Sequence, residues 1–538
     1  MFRVASGVVG RFGWRSAAGI GRIAPPLRVA AFVLAALPLA LLAWKFQFVC
    51  DDAFISFRYA RNLAEGHGLV FNPGVDQPVE GYSELGWVLL MALGLREGLD
   101  PVVLSRVLSA LAGLALVALS LRLVESASGG RPLAYLSGAL FLAGLPPLAV
   151  WWSGGLATMP FTLALVVCFS ALHLDPRRAR IWAASLAAVL LVLLRADGAF
   201  WVACVTAPAI ALGFARGQRG RAVAGLVAAG AGALVFFSQM AWRLAYYGDW
   251  LPNTARVKLG LSERALERGF DYVAHFGLTF PGVLVALAAP LVLVRAWRRP
   301  AVGMSIAIAL ATAAYAVLVG GDFMAFGRFL VPALPFIAVA WAGSARELVR
   351  LPRVGPALAL SATLVAAAAN LLPAFGRHPI PEPWRAAHHF RHNTSSFRSE
   401  LAQWRRMHMQ ARAWIDLGKA LAKHVHPDDS LVFGAVGAIG YYSGLFIYDK
   451  NGLVTREVAM REPLETPRSP GHDKTVEQSY FLKDSPTWLD AFLKPTDSSL
   501  PPGYNVNHYL SIVLEEDYDL VKRGDLLLLQ PGPGYVPR

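Results

Sequence analysis

Between residues 29 and 372 one apolar stretch follows another, separated by short loops that are alternately rich in arginine and rich in carboxylates and aromatics. Backbone polar groups in hydrocarbon must be satisfied within the segment, so such stretches can only be helices. The pattern predicts a polytopic α-helical membrane protein. Stretches suited to spanning run at 29–49, 101–121, 133–151, 158–174, 181–194, 199–214, 222–242, 272–294, 301–319, 329–343 and 355–372, about 11 transmembrane helices, several near the short limit. Residues 85–95 are apolar but too short to cross, and read as an interfacial or re-entrant piece. Only 16% of the 538 residues are charged, against about a quarter in soluble domains.

The formal net charge of +14 invites a nucleic-acid reading, but its distribution excludes one. The arginines sit in alternate short loops: Arg3 to Arg28, then Arg131, Arg177 to Arg180, Arg216 to Arg221, Arg295 to Arg299 and Arg346 to Arg353. That is the positive-inside bias, which places those loops in the cytoplasm and the loops near Asp51, Trp151, Arg195, Tyr246 and Gly320 outside. Residues 1–28 form a basic cytoplasmic N-terminus leading into an uncleaved signal-anchor helix. Residues 29–373 form the transmembrane core, and 374–538 an extracytoplasmic linker and α/β domain with strand-like runs at 431–433, 445–448 and 526–529. Cys50, Cys168 and Cys204 suggest no disulfide framework.

The outer loops carry the candidate chemistry. Asp51 and Asp52 directly follow the first span, and carboxylates beside hydrocarbon are costly enough to be kept for function. Phe54, Arg58, Arg61 and Glu65 then recur at helical spacing, and Gly66, His67, Gly68, Asn72, Pro73 and Gly74 break the helix before Glu80, Tyr82 and Glu84. Arg195 and Asp197 either pair with each other or aim the arginine at a phosphate. Arg243, Tyr247, Asn253 and Lys258 lie in an aromatic, turn-rich segment with more cations than an interfacial belt needs. Asp322 follows two glycines and precedes Arg328, either as a helix-end ion pair or as part of a site. His388 and His392 share a helical face but lack the glutamate of the metalloprotease pattern. The glycines of 434–440 do not match a dinucleotide fingerprint and read as tight strand-to-helix packing.

Five segments resemble the bacterial GT-C glycosyltransferases that use polyprenyl-phosphate sugars, in the branch of the cell-wall arabinofuranosyltransferases. They are DDAFISFRYARNLAEGHGLVFNPG, VEGYSELGW, YYGDWLPNTARVK, GGDFMAFGRFLVPALP and PGHDK at 470–474. The resemblance implies a multi-pass protein of the bacterial cytoplasmic (inner) membrane with an outer soluble domain. It further implies transfer of a sugar, arabinofuranose being one candidate, from a polyprenyl-phosphate donor to a glycan, lipid or protein acceptor of the envelope. A carboxylate of the first outer loop is then the base, here Asp51 or Asp52, with Asp51 slightly favoured. Arg58, His67, Asn72, Glu80, Tyr82, Arg195, Asp197, Arg243, Tyr247, Asn253, Lys258, Asp322 and Arg328 become candidates for holding the donor. Three positions depart from the family pattern. Ala157 stands where many relatives have the glutamate of Gly-Leu-Glu-Thr, Ala196 replaces a proline, and Ser83-Glu84 replaces Thr-Asn.

The residue chemistry suits the same reaction. An acceptor hydroxyl attacking an anomeric carbon needs a base, and a phosphate leaving group needs cations more than an acid. No cofactor is implied, although the paired aspartates could hold a divalent cation. A lipid-linked sugar flippase would call for inverted repeats, which do not stand out. A non-catalytic assembly protein is the other alternative, and Ala157 is the residue in its favour.

Overall fold

The computed structural model describes residues 23–174, 179–258, 262–385, 397–464, 470–493 and 518–532. His388, His392, Arg177, Arg178 and most of the basic N-terminus lie outside them.

The core begins with α1 (Pro25–Lys45), α2 (Asp51–Ala64), α3 (Leu85–Arg96), α4 (Pro101–Ser128), α5 (Pro132–Ala143) and α6 (Pro146–Val150). It continues with α7 (Thr158–His173), α8 (Ile181–Leu194), α9 (Gly198–Ala215), α10 (Arg219–Tyr247), α11 (Asn253–Lys258), α12 (Glu263–Thr279), α13 (Pro281–Val292) and α14 (Val294–Trp297). It closes with α15 (Pro300–Leu318), a 3-10 turn at Arg328–Ala333, α16 (Leu334–Leu348) and α17 (Gly355–Leu371).

Among the described residues seven helices are long and apolar enough to cross a membrane, or eight if α12 and α13 form one bent span. The expected straight span at 272–294 is therefore broken. Its two halves meet at 93°, because Pro281 has no N–H to continue the helix and pushes Phe280 out of the helical region (φ −118°, ψ 69°). The stretch at 133–151 is likewise divided at Gly144, ahead of Pro146 and Pro147. Helices α5, α7 and α8 are short apolar helices. The 16 residues of α7 reach only about 24 Å at 1.5 Å per residue. Most of them are buried inside the bundle, where a short span is tolerated. Helix α3, with 12 residues, has the short length expected of it.

Ion pairs sort the loops into two groups. Arg28 at the start of α1 meets Glu125 near the end of α4 at 2.5 Å, and Arg299 meets Glu347 near the end of α16 at 2.5 Å. These belong to the arginine-rich loops. The mixed-charge loops gather at the opposite end with the C-terminal domain.

That domain comprises α18 (Glu382–Arg385), α19 (Glu400–His424), β1 (Ser430–Phe433), α20 (Val436–Ser443), β2 (Phe446–Asp449), α21 (Arg456–Ala459), β3 (Asp490–Leu493), β4 (Tyr518–Arg523) and β5 (Leu526–Pro531). Strands β1 and β2 pair in parallel across the α20 crossover, while β3-β5-β4 form an antiparallel sheet. The four leucines of β5 show why an unbroken apolar run is a strand here. Leu526 and Leu528 join the core shared with the membrane helices, and Leu527 and Leu529 join a second cluster with Val432, Phe481 and Phe492. Both faces of the strand are covered.

Candidate active site

Helix α2 has two working faces. On one, Asp51, Phe54, Arg58 and Arg61 meet the C-terminal domain. Asp51 accepts hydrogen bonds from Gly437 N (3.1 Å) and Ala438 N (2.7 Å) at the start of α20. Arg58 donates to Gly440 O and Leu445 O, both at 2.7 Å, and to Phe71 O at 2.6 Å, and Arg61 donates to Tyr441 O at 2.6 Å. The close fit explains the glycine run. A Cβ on Gly437 would come within 2.0 Å of the Asp51 carbonyl oxygen, so glycine is required by backbone approach.

On the other face, Asp52, Ile55 and Ser56 line a cavity of about 380 Å³. Adjacent helical residues point about 100° apart, so the two aspartates cannot share it. Against the slight preference for Asp51 over Asp52 as the base, Asp51 is turned to the N–H groups of α20 while Asp52 lines the cavity. Burial pushes its carboxyl up to about 7, against the lowering effect of its Ala438 hydrogen bond. Among the described residues no group of three or more His, Cys, Asp or Glu side chains is placed to hold a metal ion.

Three arginines face the same cavity, each oriented by a carboxylate. Arg195 donates Nε to Asp197 Oδ1 at 2.7 Å and Nη2 to Asp197 Oδ2 at 3.0 Å and to the Tyr315 hydroxyl at 3.1 Å. Arg195 and Asp197 are thus mutually paired, and both line the cavity. Arg243 makes a bidentate pair with Glu80, which lies behind it. Arg328 donates Nε to Asp322 at 2.8 Å. Gly320 and Gly321 turn the chain here with φ of 74° each, and a Cβ on Gly321 would meet Tyr272 at 2.8 Å. A guanidinium has five N–H donors and these bonds use at most three, so each arginine keeps donors for an anion.

Tyr82 lines the cavity and is held from behind by Tyr247, hydroxyl to hydroxyl at 3.1 Å. Several expected donor contacts lie elsewhere. Arg58 and Asn72 are absent from the cavity wall and bond the backbone of the C-terminal domain. The Asn72 amide pairs with Ile447 N (3.1 Å) and O (2.9 Å), closing the edge of β2 like a strand neighbour. His67 is solvent-exposed beside Glu65. Asn253 bonds Glu80 O through its backbone and Gly452 O through its side chain. The Lys258 side chain lies outside the described residues. The PGHDK segment is also a latch, with Asp473 pairing bidentately with Arg268 of α12 at 2.9 and 3.0 Å.

Glu84 is the residue that sequence reasoning named without assigning to the site. It lines the cavity, accepts from Ser56 Oγ at 3.0 Å and from Ala157 N at 3.2 Å, and burial pushes its carboxyl up to about 7. Its signal was the Ser-Glu departure itself, set beside the missing glutamate at Ala157. Tyr315, Trp250 and Thr158 also line the cavity. Tyr315 and Thr158 lie in apolar helices and Trp250 reads as belt, so none announces itself.

A family profile described as "Domain of unknown function (DUF8728)" matches residues 399–527. Over 280 residues the chain is 29% identical to the terminal β-(1→2)-arabinofuranosyltransferase of Mycobacterium tuberculosis. That match covers 48% of this chain and 43% of the relative, so the chain spans less than half the length of the curated protein it resembles. The crystal structure of ArnT from Cupriavidus metallidurans bound to undecaprenyl phosphate matches 96% of this chain and 100% of its own, with TM-score 0.55 and 13% identity. The apo state of the same protein matches 93% of this chain and 97% of its own, with TM-score 0.50 and 13% identity. The chain thus carries the fold of the GT-C glycosyltransferases and is related in sequence to an arabinofuranosyltransferase.

Proposed function

We propose that this multi-pass membrane protein of GT-C fold transfers a sugar from a polyprenyl-phosphate donor to an acceptor hydroxyl at the outer face of the cytoplasmic membrane. The observation that carries the reading is one cavity lined by Asp52 and Glu84 together with Arg195, Arg243 and Arg328, its third carboxylate, Asp197, being paired with Arg195. The relative's name makes arabinofuranose the first sugar to try, and the undecaprenyl phosphate bound by ArnT supports a phosphate-linked lipid donor.

In this reading Asp52 takes the proton of the acceptor hydroxyl as its oxygen bonds to the anomeric carbon. The bond from that carbon to the phosphate oxygen breaks, and the lipid phosphate leaves with one more negative charge. Arg328 lies within the field of Asp52 and, with Arg195 and Arg243, meets that growing charge. One displacement inverts the anomeric centre. Glu84 also supports an enzyme over a non-catalytic protein, because its carboxylate accepts from the backbone N–H of Ala157, the position at which the resemblance implies a glutamate.

The test is transfer from polyprenyl-phosphoryl arabinofuranose by purified wild-type and Asp52→Asn proteins. Turnover of the variant should fall by about 100-fold or more, with donor binding little changed, since the proton moves only during reaction. Full turnover in Asp52→Asn would sink the proposed base. No transfer by wild type from this donor would move the search to another sugar.

A further inference from the structure

We infer that a cleft between α4 and α19, apart from the candidate active site, holds the phosphate of an anionic phospholipid of the surrounding membrane. The cleft encloses about 300 Å³ and is lined by Gln47, Arg106, His408, Arg412 and Tyr442 around an apolar floor that includes Phe54. It shares no lining residue with the cavity of Asp52 and Glu84.

No carboxylate pairs with its two arginines at ion-pair distance among the described residues, although the Asp100 charge reaches Arg106. No carboxylate lines it. The Nε of Arg106 is buried without a hydrogen-bond partner, although a guanidinium N–H out of water normally has one. The Asp100 carboxylate, at the start of α4, is taken up by the N–H groups of Val102 (2.8 Å) and Val103 (3.0 Å). Burial, then the Arg412 and Arg106 charges, hold His408 below the usual histidine range, so both arginine charges reach the imidazole. Trp404 stacks on the His408 ring at 5.3 Å and 6°, which fixes its plane. Two guanidinium groups beside an imidazole N–H make a seat for an anion.

The surroundings select a lipid over a free anion. Below the cleft, α4 exposes Val103, Val107 and Leu111 on one stripe, and the neighbouring α1 exposes Leu37, Leu41 and Trp44. A phosphate seated between Arg106 and Arg412 would send its acyl chains along these faces, gaining charge neutralisation and apolar contact together. Inorganic phosphate would gain only the first.

The experiment is native mass spectrometry of the full-length protein with dioleoylphosphatidylglycerol and, separately, dioleoylphosphatidylcholine. It compares wild type, Arg412→Gln and Arg106→Gln/Arg412→Gln; Arg412 is exposed, so its single variant does not threaten the fold. Wild type should retain phosphatidylglycerol in preference, and the double variant should retain about tenfold less of it with phosphatidylcholine unchanged. Arg412→Gln should fall between. Equal phosphatidylglycerol retention in all three proteins would overturn the site. Equal thermal stabilisation by inorganic phosphate and by phosphatidylglycerol, both lost in the double variant, would overturn the lipid and leave a free-anion site.

Discussion

At the scale of single residues, the proposed mechanism gives two of the cavity's carboxylates, Asp52 and Glu84, different tasks. Glu84 is buried, and its pKa near 7 means that it ionises as pH rises through neutrality. The ionised form interacts favourably with the Arg328 and Arg195 charges, so it should support the reaction. The transfer rate of wild type should therefore climb between about pH 6 and 8, and Glu84→Gln, uncharged throughout, should give a flatter profile and a rate roughly 10-fold to 100-fold lower. A flat wild-type profile, or Glu84→Gln at full rate, would count against this role. If Glu84 replaces the carboxylate that relatives carry at the next loop, Glu84→Gln/Ala157→Glu should recover part of the loss. Much of this was legible in the chain, since Asp52, Tyr82, Arg195, Asp197, Arg243 and Arg328 all reach the cavity wall. The orientation of the aspartate pair was not. It depends on which face of α2 the C-terminal domain covers, and local sequence does not carry that information.

The same helix decides behaviour at the scale of elements. The spacing of Phe54, Arg58 and Arg61 announces a helix with one special face, but its partner, α20, lies nearly 400 residues further on, so periodicity could not name it. Asp51→Asn keeps the shape but offers only one oxygen to two N–H donors. The contact between α2 and α20 should weaken by about 0.5–1.5 kcal/mol, the net scale for one hydrogen bond. Hydrogen exchange of 436–443 should speed up while donor binding holds; unchanged exchange would return Asp51 to the candidate bases. There is a pH signature too. Because the folded carboxyl sits near 7 and the ordinary value is 3.8, the folded state holds the proton more tightly. The contribution of Asp51 to docking is largest at low pH and falls as pH rises from about 4 towards 7. Protection factors at α20, corrected for intrinsic exchange, should drop over that window in wild type and change less in Asp51→Asn. The strands divide in the same way. Leucine and aromatic runs at β1, β2 and β5 were readable, whereas β3 and β4 are edge strands of mixed composition that only their pairing with β5 reveals.

For the whole molecule, alternation of loop charge was the strongest signal, and the structure gathers those loops into two opposed groups. Reporter fusions after Gly220 and after Pro373 should lie on opposite sides of the membrane; the same side for both would break the proposed orientation. Span lengths were less readable, because bends at Phe280 and Leu145 depend on prolines inside otherwise uniform apolar runs. Time is the last consequence of the α2–α20 seam. Asp51 and Arg58 leave the ribosome 382 to 387 residues before the groups they bind in α20 and just beyond it. At roughly 5–20 residues per second, that is a wait of about 20–80 s. For that interval the membrane bundle can be assembled while one face of α2 is still uncovered, and two polar side chains meant for a buried interface must stay hydrated or be chaperoned. A ribosome that stalls short of Gly437 would leave α2 with one face bare, and Asp51 and Arg58 without the backbone groups they bind in and beyond α20.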